Sequence, residues 1–205
     1  MKKILNLCFA TTMILVLFSC AKEKKSVETE GSNGSYSVDG THSTVQWTGY
    51  KTTDKIAVNG TFKEISILEM NSGSTPADAL EGLEFEIPVS SIYSKDTIRD
   101  GKLMRLFFGV MENTLSLKGK FSVKDASNGN IALSMNGLTK ELPFTYDMSK
   151  DTIMINATMV LNIWETQNAL ASIHQACLEL HTGPDGVSKT WDEVAVTAKI
   201  LTTKK

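Results

Sequence analysis

The feature that most constrains this chain is an alternation of apolar and polar residues, repeated in short runs from Ser43 to Ile200. In "STVQWTGYK" Val45, Trp47 and Gly49 share one face, while Thr44, Gln46 and Thr48 share the other. "KIAVNGTF" groups Ile56, Val58, Gly60 and Phe62, and "GLEFEIPVS" sets Leu83, Phe85, Ile87 and Val89 against Glu84, Glu86 and Pro88. "NTLSLKGKFSV" aligns Leu115, Leu117, Gly119, Phe121 and Val123; "GNIALSMNG" aligns Ile131, Leu133 and Met135; "KELPFTYDM" aligns Leu142, Phe144, Tyr146 and Met148. "TIMINATMVLNIW" gives Ile153, Ile155, Ala157, Met159, Leu161 and Ile163, and "DEVAVTAKI" gives Val194, Val196, Ala198 and Ile200. Strand side chains point to opposite faces in turn, so a period of two spells a half-buried strand. Turn-forming sequences such as "DASNGN" (125–130) and "MSKDT" (148–152) separate some of the runs, which points to antiparallel pairing. Eight strands with one apolar face each must hide that face, by closing into a barrel or by stacking two sheets. Pro88 and Pro143 cannot donate to a ladder and belong at edges, bulges or strand starts.

Helical periodicity occurs in "NALASIHQACLELH" (168–181), where Leu170, Ile173, Cys177 and Leu180 recur along one face. "TGPDG" (182–186) then stops it, with Gly183 suited to the cap. A second, short helical stretch is expected over 100–107, "DGKLMRLF". One amphipathic helix beside a barrel suits a plug, a lid or a packing buttress. His174, Cys177 and His181 lie on one side of the longer helix, and two imidazoles with a thiolate have the chemistry to hold zinc or copper. Cys177 also belongs to the apolar stripe, where a thiol behaves as a small hydrophobe, and packing is the expectation there.

At the N-terminus Lys2 and Lys3 precede an apolar run over 4–18, long enough for a signal-peptide core and short of the roughly 20 residues a membrane-spanning helix needs. It ends in Leu17-Phe18-Ser19-Cys20, the bacterial lipobox pattern, in which Cys20 is acylated and becomes the new N-terminus. Residues 1–19 are thus expected to be a lipoprotein signal peptide. Residues 20–35, charged and then rich in Gly and Ser, are expected to be a lipidated cysteine and tether. Lys22 stands where an aspartate would mark inner-membrane retention, which favours the outer membrane of a Gram-negative-type envelope, facing the periplasm or the cell surface.

The full chain has 21 basic and 23 acidic residues. Loss of Lys2 and Lys3 with the signal makes the balance more acidic, and no basic patch remains outside the tether to hold nucleic acid. Of three cysteines, Cys8 leaves with the signal and Cys20 carries lipid, so Cys177 has no disulfide partner in its own chain. There is no G-x-S-x-G, H-E-x-x-H, phosphate-cradling glycine loop or EF-hand spacing, and no enzyme is expected.

Three stretches together resemble the YceI-like family of exported, lipocalin-like barrels that bind polyisoprenoid lipids. "YSVDGTHSTVQWTGYK" (36–51) looks like its D-x-x-H-S-x-V-x-W strand, and "IRDGKLMRLFF" (98–108) is similar to its R-D-x-H-L-x-x-x-x-F-F segment. "GNIALSMNGLTKELPFTY" (129–146) is close to its G-x-L-T-x-x-G-V-T-K-x-V hairpin, and "WDEVAVTAKI" (191–200) fits the last strand. Lys102 stands where many relatives carry histidine, and Leu106 replaces the usual aspartate. The resemblance spans 36–202 and implies an eight-stranded lipocalin-like barrel that holds an isoprenoid or quinone, with no other cofactor. The inward residues that would then meet the ligand are Trp47, Val58, Phe62, Phe85, Ile87, Leu117, Gly119, Phe121, Leu133, Phe144, Ala157 and Met159. Inward glycines leave width in such a barrel, and a prenyl chain gains roughly 0.8 kcal/mol per buried methylene. The other reading is a filled barrel whose outside, or whose 164–191 insertion, docks a protein partner.

Overall fold

Each of the eight alternating runs forms a strand in the computed structural model, which describes residues 35–205. The expected signal peptide, Cys20 and the tether up to Gly34 lie outside the described residues. In chain order the strands are β1 (Tyr36–Lys51), β2 (Ile56–Phe62), β3 (Ser66–Glu69), β4 (Ser72–Gly73), β5 (Glu84–Pro88) and β6 (Ile92–Tyr93). They continue with β7 (Ser116–Val123), β8 (Asn128–Met135), β9 (Leu138–Ser149), β10 (Thr152–Val160) and β11 (Glu193–Lys204). The expected count of eight is therefore corrected to eleven: β3, β4 and β6 are two to four residues long, too short to show a period. The last strand also runs two residues past the expected boundary at 202.

All eleven strands belong to one large curled antiparallel sheet, in the order β3-β5-β7-β8-β9-β10-β11-β1-β2-β6, with β4 beside β1. This replaces the expected eight-stranded barrel. The ends of the path lie side by side, because β2 runs into β3 and β5 runs into β6 through a 3-10 turn at Val89–Ser91. At that bend the Lys63 N–H donates to the Ser91 carbonyl at 2.9 Å.

The registers define two ends. Tyr36 lies opposite Lys204 and Thr48 opposite Ala195, with a bulge between Asp39 and Thr44. Lys51 faces Ile56 in the next strand. The end that holds Lys51 also carries two long excursions, 94–115 and 161–192. The start of β1 at Tyr36 and the turn at 149–152 occupy the other end.

Pairing of β9 with β10 stops where Phe144 faces Ala157, so the two strands part towards the Lys51 end. Pro143 sits at that parting, on the side of β9 that has lost its neighbour, which is where a residue without an N–H is tolerated. Trp164, fully buried, is fixed from two sides: its Nε1 donates to the Leu133 carbonyl at 2.9 Å, and Asn136 Nδ2 donates to the Trp164 carbonyl at 2.8 Å. Four residues of the alternating faces end up exposed. Leu115 is 89% exposed one residue before β7 begins, and Ile56, Met148 and Ile163 also lie at or beyond strand ends, where no opposite wall covers them. Glu84 and Glu86 sit on the outer face and pair across strands with Lys120 and Lys118.

The helices also differ in extent from expectation. Helix α1 covers Thr97–Lys102 and continues as a π-helical turn over Leu103–Phe107 and a 3-10 turn over Phe108–Val110. It starts three residues before the expected 100 because Asp96 caps it, accepting from the Ile98 and Arg99 N–H groups at 3.0 Å each. Helix α2 covers Gln167–Ala176 and stops at Cys177, well short of the expected end at 181; a separate 3-10 turn spans Glu179–His181. Lys102 Nζ donates to the Ala176 carbonyl at 3.0 Å, so a cation from α1 closes the carbonyl end of α2, the role Gly183 was expected to serve.

Candidate ligand cavity

The inner face of the curled sheet surrounds a cavity of about 390 Å³. It runs from Leu142 and Ile200 deep in the sheet up to Lys51, Ile98 and Leu180, and its wall is almost wholly apolar. Of the twelve expected ligand residues, all except Gly119 and Phe144 line it. Phe144 is buried instead in a row of rings, 5.6 Å from Phe121 and 5.9 Å from Tyr146, with its own edge over Gly129.

Gly119 corrects the expectation that inward glycines leave width. A Cβ there would run into the Phe85 ring and come within 2.9 Å of Ile131 Cγ2. Gly60 is covered in the same way by the Trp47 indole. These glycines let large rings lie flat on the sheet, and the rings occupy the notch. Gly49 alone on these inner faces is open: a Cβ there meets nothing within 4 Å, and the residue lines the cavity.

Two excursions close over one end. From the first, Leu103, Phe107 and Phe108 reach the wall; from the second, Leu170, Ile173 and Cys177 do. Helix α2 is therefore wall and buttress at once, held to α1 by Lys102. Leu180, expected on its buried stripe, is 62% exposed, because the helix has ended and the following turn aims it outward at the rim.

Residues 36–200 match the YceI-like domain. The chain belongs to the YceI-like family. No curated protein sequence matches it. Among solved structures, this YceI-like domain resembles a polyisoprenoid-binding domain from Saccharophagus degradans implicated in plant cell wall breakdown. The TM-score is 0.60 at 13% identity over 83% of this chain and 98% of that one. BcnA from Burkholderia cenocepacia gives a TM-score of 0.51 at 15% identity, over 81% of this chain and 99% of the other. At such identities the likeness is one of fold.

The charged residues of this YceI-like cavity gather at its rim: Lys51, Asp96, Arg99 and Lys102. Lys51 Nζ donates to the Leu180 carbonyl at 3.2 Å, which ties β1 to the second excursion. His174 and His181 do not converge with Cys177 on a common point. Both imidazoles instead meet the Thr190 hydroxyl, at 3.0 and 2.6 Å from Nδ1, while Cys177 Sγ lies 3.8 Å from Lys102 Nζ. Among the described residues no group of three side chains is arranged to hold a metal. Burial, followed by Lys51, His174 and Lys102, lowers His181 to about 4, so its ring is neutral at pH 7. Of the rim residues, Lys51 ends β1 in phase with Val45, Trp47 and Gly49, whereas Asp96, Arg99 and Lys102 lie at and on α1, where strand alternation gives no signal and only the "IRDGKLMRLFF" stretch marked part of the segment.

Proposed function

We propose that this protein is a membrane-tethered lipid carrier: the cavity takes the apolar tail of a polyisoprenoid lipid or quinone, and the head stays at the rim beside Lys51, Arg99 and Lys102. The observation that carries this reading is the cavity itself. About 390 Å³ of apolar space within a packed fold lies in the range of small-molecule pockets, roughly 300–1,000 Å³. Each tail methylene moved there from water contributes roughly 0.8 kcal/mol. The polyisoprenoid-binding description of the Saccharophagus domain supports the ligand class. The lipobox at Leu17–Cys20 and the Lys22 that follows support an acyl anchor in the outer membrane, with the domain in the periplasm or on the cell surface. Binding is the activity proposed, without catalysis. The alternative, a filled barrel that docks a protein partner, fits the cavity and the open Gly49 less well.

The test is extraction of natively purified protein followed by mass spectrometry. A prenyl lipid in near-stoichiometric amount is expected. Absence of any lipid, with no uptake of prenyl quinones offered in vitro, would overturn the reading.

A further inference from the structure

We propose, on the carrier reading, that His181, held in place by Thr190 and His174, hydrogen-bonds the head of the ligand and selects an uncharged oxygen, a carbonyl or a hydroxyl, over a phosphate. His181 and Thr190 both line the cavity, and Thr190 Oγ1 lies 2.6 Å from His181 Nδ1 and 3.0 Å from His174 Nδ1. A hydroxyl has one proton to give, so at least one of the two rings must donate to it from Nδ1–H. The three groups therefore form a chain whose protons can run either way. With Nδ1 accepting, a neutral His181 carries its proton on Nε2 and offers a donor, which suits a carbonyl. With Nδ1 donating, Nε2 is an acceptor, which suits a hydroxyl. Nε2 itself has no hydrogen-bond partner among the described residues, and it is accessible from the cavity or from solvent.

The backbone around the ring is tied down from several sides. Thr190 forms a β-bridge with Lys51 at the end of β1, and the Trp191 N–H donates to the Tyr50 carbonyl at 3.2 Å. The Lys189 N–H donates to the His181 carbonyl at 3.1 Å, and the His181 N–H donates to the Cys177 carbonyl at 2.9 Å. A hydrogen-bonding group fixed in this way loses little freedom when a ligand arrives. An uncharged head is favoured because the neighbouring cations already have partners. Lys51 Nζ donates to the Leu180 carbonyl at 3.2 Å, Lys102 Nζ to that of Ala176 at 3.0 Å, and Arg99 Nη2 lies 3.5 Å from the Asp96 carboxylate. His181 adds no charge, because burial and then Lys51 keep its ring neutral at pH 7. A phosphate would have to shed its water against cations committed elsewhere, whereas a carbonyl or hydroxyl needs one hydrogen bond.

Lipid-free protein is titrated by calorimetry at pH 7 with farnesol, farnesal, farnesyl phosphate and farnesene, which share one prenyl tail. Farnesol and farnesal are expected to bind roughly fivefold more tightly than farnesene or farnesyl phosphate, the scale of one hydrogen bond. His181→Phe should abolish that preference while farnesene affinity stays within about twofold of the parent's. Nitrogen-15 spectra of the histidine rings need no variant: farnesol should shift both His181 ring nitrogens, and farnesene should leave them in place. Thr190→Val should change the tautomer ratio of His181 and weaken the preference, and Thr190→Ser should keep both as in the parent. Farnesene binding as tightly as farnesol, farnesyl phosphate binding most tightly, or His181 resonances unmoved by farnesol would overturn the assignment and leave the carrier reading standing. An unchanged tautomer ratio in Thr190→Val would overturn the positioning role of Thr190 and His174. Failure of all four to bind, farnesene included, would overturn the carrier reading and the head site with it.

Discussion

Gly49 and Gly119 lie on inner faces of the same sheet, and the structure predicts opposite responses to one added methyl group. In Gly119→Ala the new Cβ would overlap the Phe85 ring and press on Ile131 Cγ2 at 2.9 Å. Neither neighbour can retreat easily: Phe85 and Ile131 are 8% and 7% exposed, and Phe85 packs on Phe121 with centroids 5.4 Å apart. Overpacking of this kind costs about 1–3 kcal/mol. Removing glycine's freedom in the unfolded chain returns about 0.4–1 kcal/mol. The net expectation is a loss centred on about 1.3 kcal/mol, because the Phe85 ring and Ile131 crowd the position. In Gly49→Ala the methyl enters open cavity, so only the second effect operates and the protein should gain about 0.4–1 kcal/mol. Urea unfolding of lipid-free protein measures both, with slopes compared so that a midpoint shift reports stability alone. A Gly119→Ala protein as stable as the parent, or a Gly49→Ala protein that loses more than about 1 kcal/mol, would refute the distinction between a ring-filled notch and an open wall.

Ala157 lines the cavity opposite Val196, so Ala157→Phe should abolish retention of prenyl lipid while the lipid-free melting temperature stays close to the parent's; unfolding at markedly lower temperature would indicate a filled wall. His181 is held neutral by burial and by Lys51, and its unfolded form binds the extra proton between pH 6.5 and about 4. Its contribution is therefore intact above pH 6.5 and lost as pH falls through that window, at about 1 kcal/mol after allowance for solvent screening. His181→Gln should flatten the stability profile there, which thermal melts across the range would show. Cys20→Ser should eliminate incorporation of a fatty-acid analogue and leave an uncleaved precursor; label retained by the variant would contradict the lipobox.

Eight strands were legible because alternation is a local property: each run states its own inner face, and ten of the twelve expected ligand residues do line the cavity. Where the period reached a strand end, as at Met148, or ran past one, as at Leu115, the pattern named a face that is left exposed. The stop of α2 at Cys177 was illegible for a different reason. One carbonyl at that end, that of Ala176, accepts from Lys102, a residue 74 positions away, and no local pattern announces such a contact.

The residues by themselves determined a β chain with one apolar face per strand and a helical insertion, because period, turn chemistry and length are written within a few neighbours of each position. Tertiary structure alone decided whether that apolar face was full. A glycine in a strand reads the same whether a ring lies over it, as Trp47 does over Gly60, or nothing does, as at Gly49; the answer depends on how the rings of the sheet arrange themselves against one another. It also decided the rim. Lys51 and the Leu180 carbonyl are 129 positions apart in the chain and 3.2 Å apart in space, and only the curl of the sheet brings them together at the rim of the cavity.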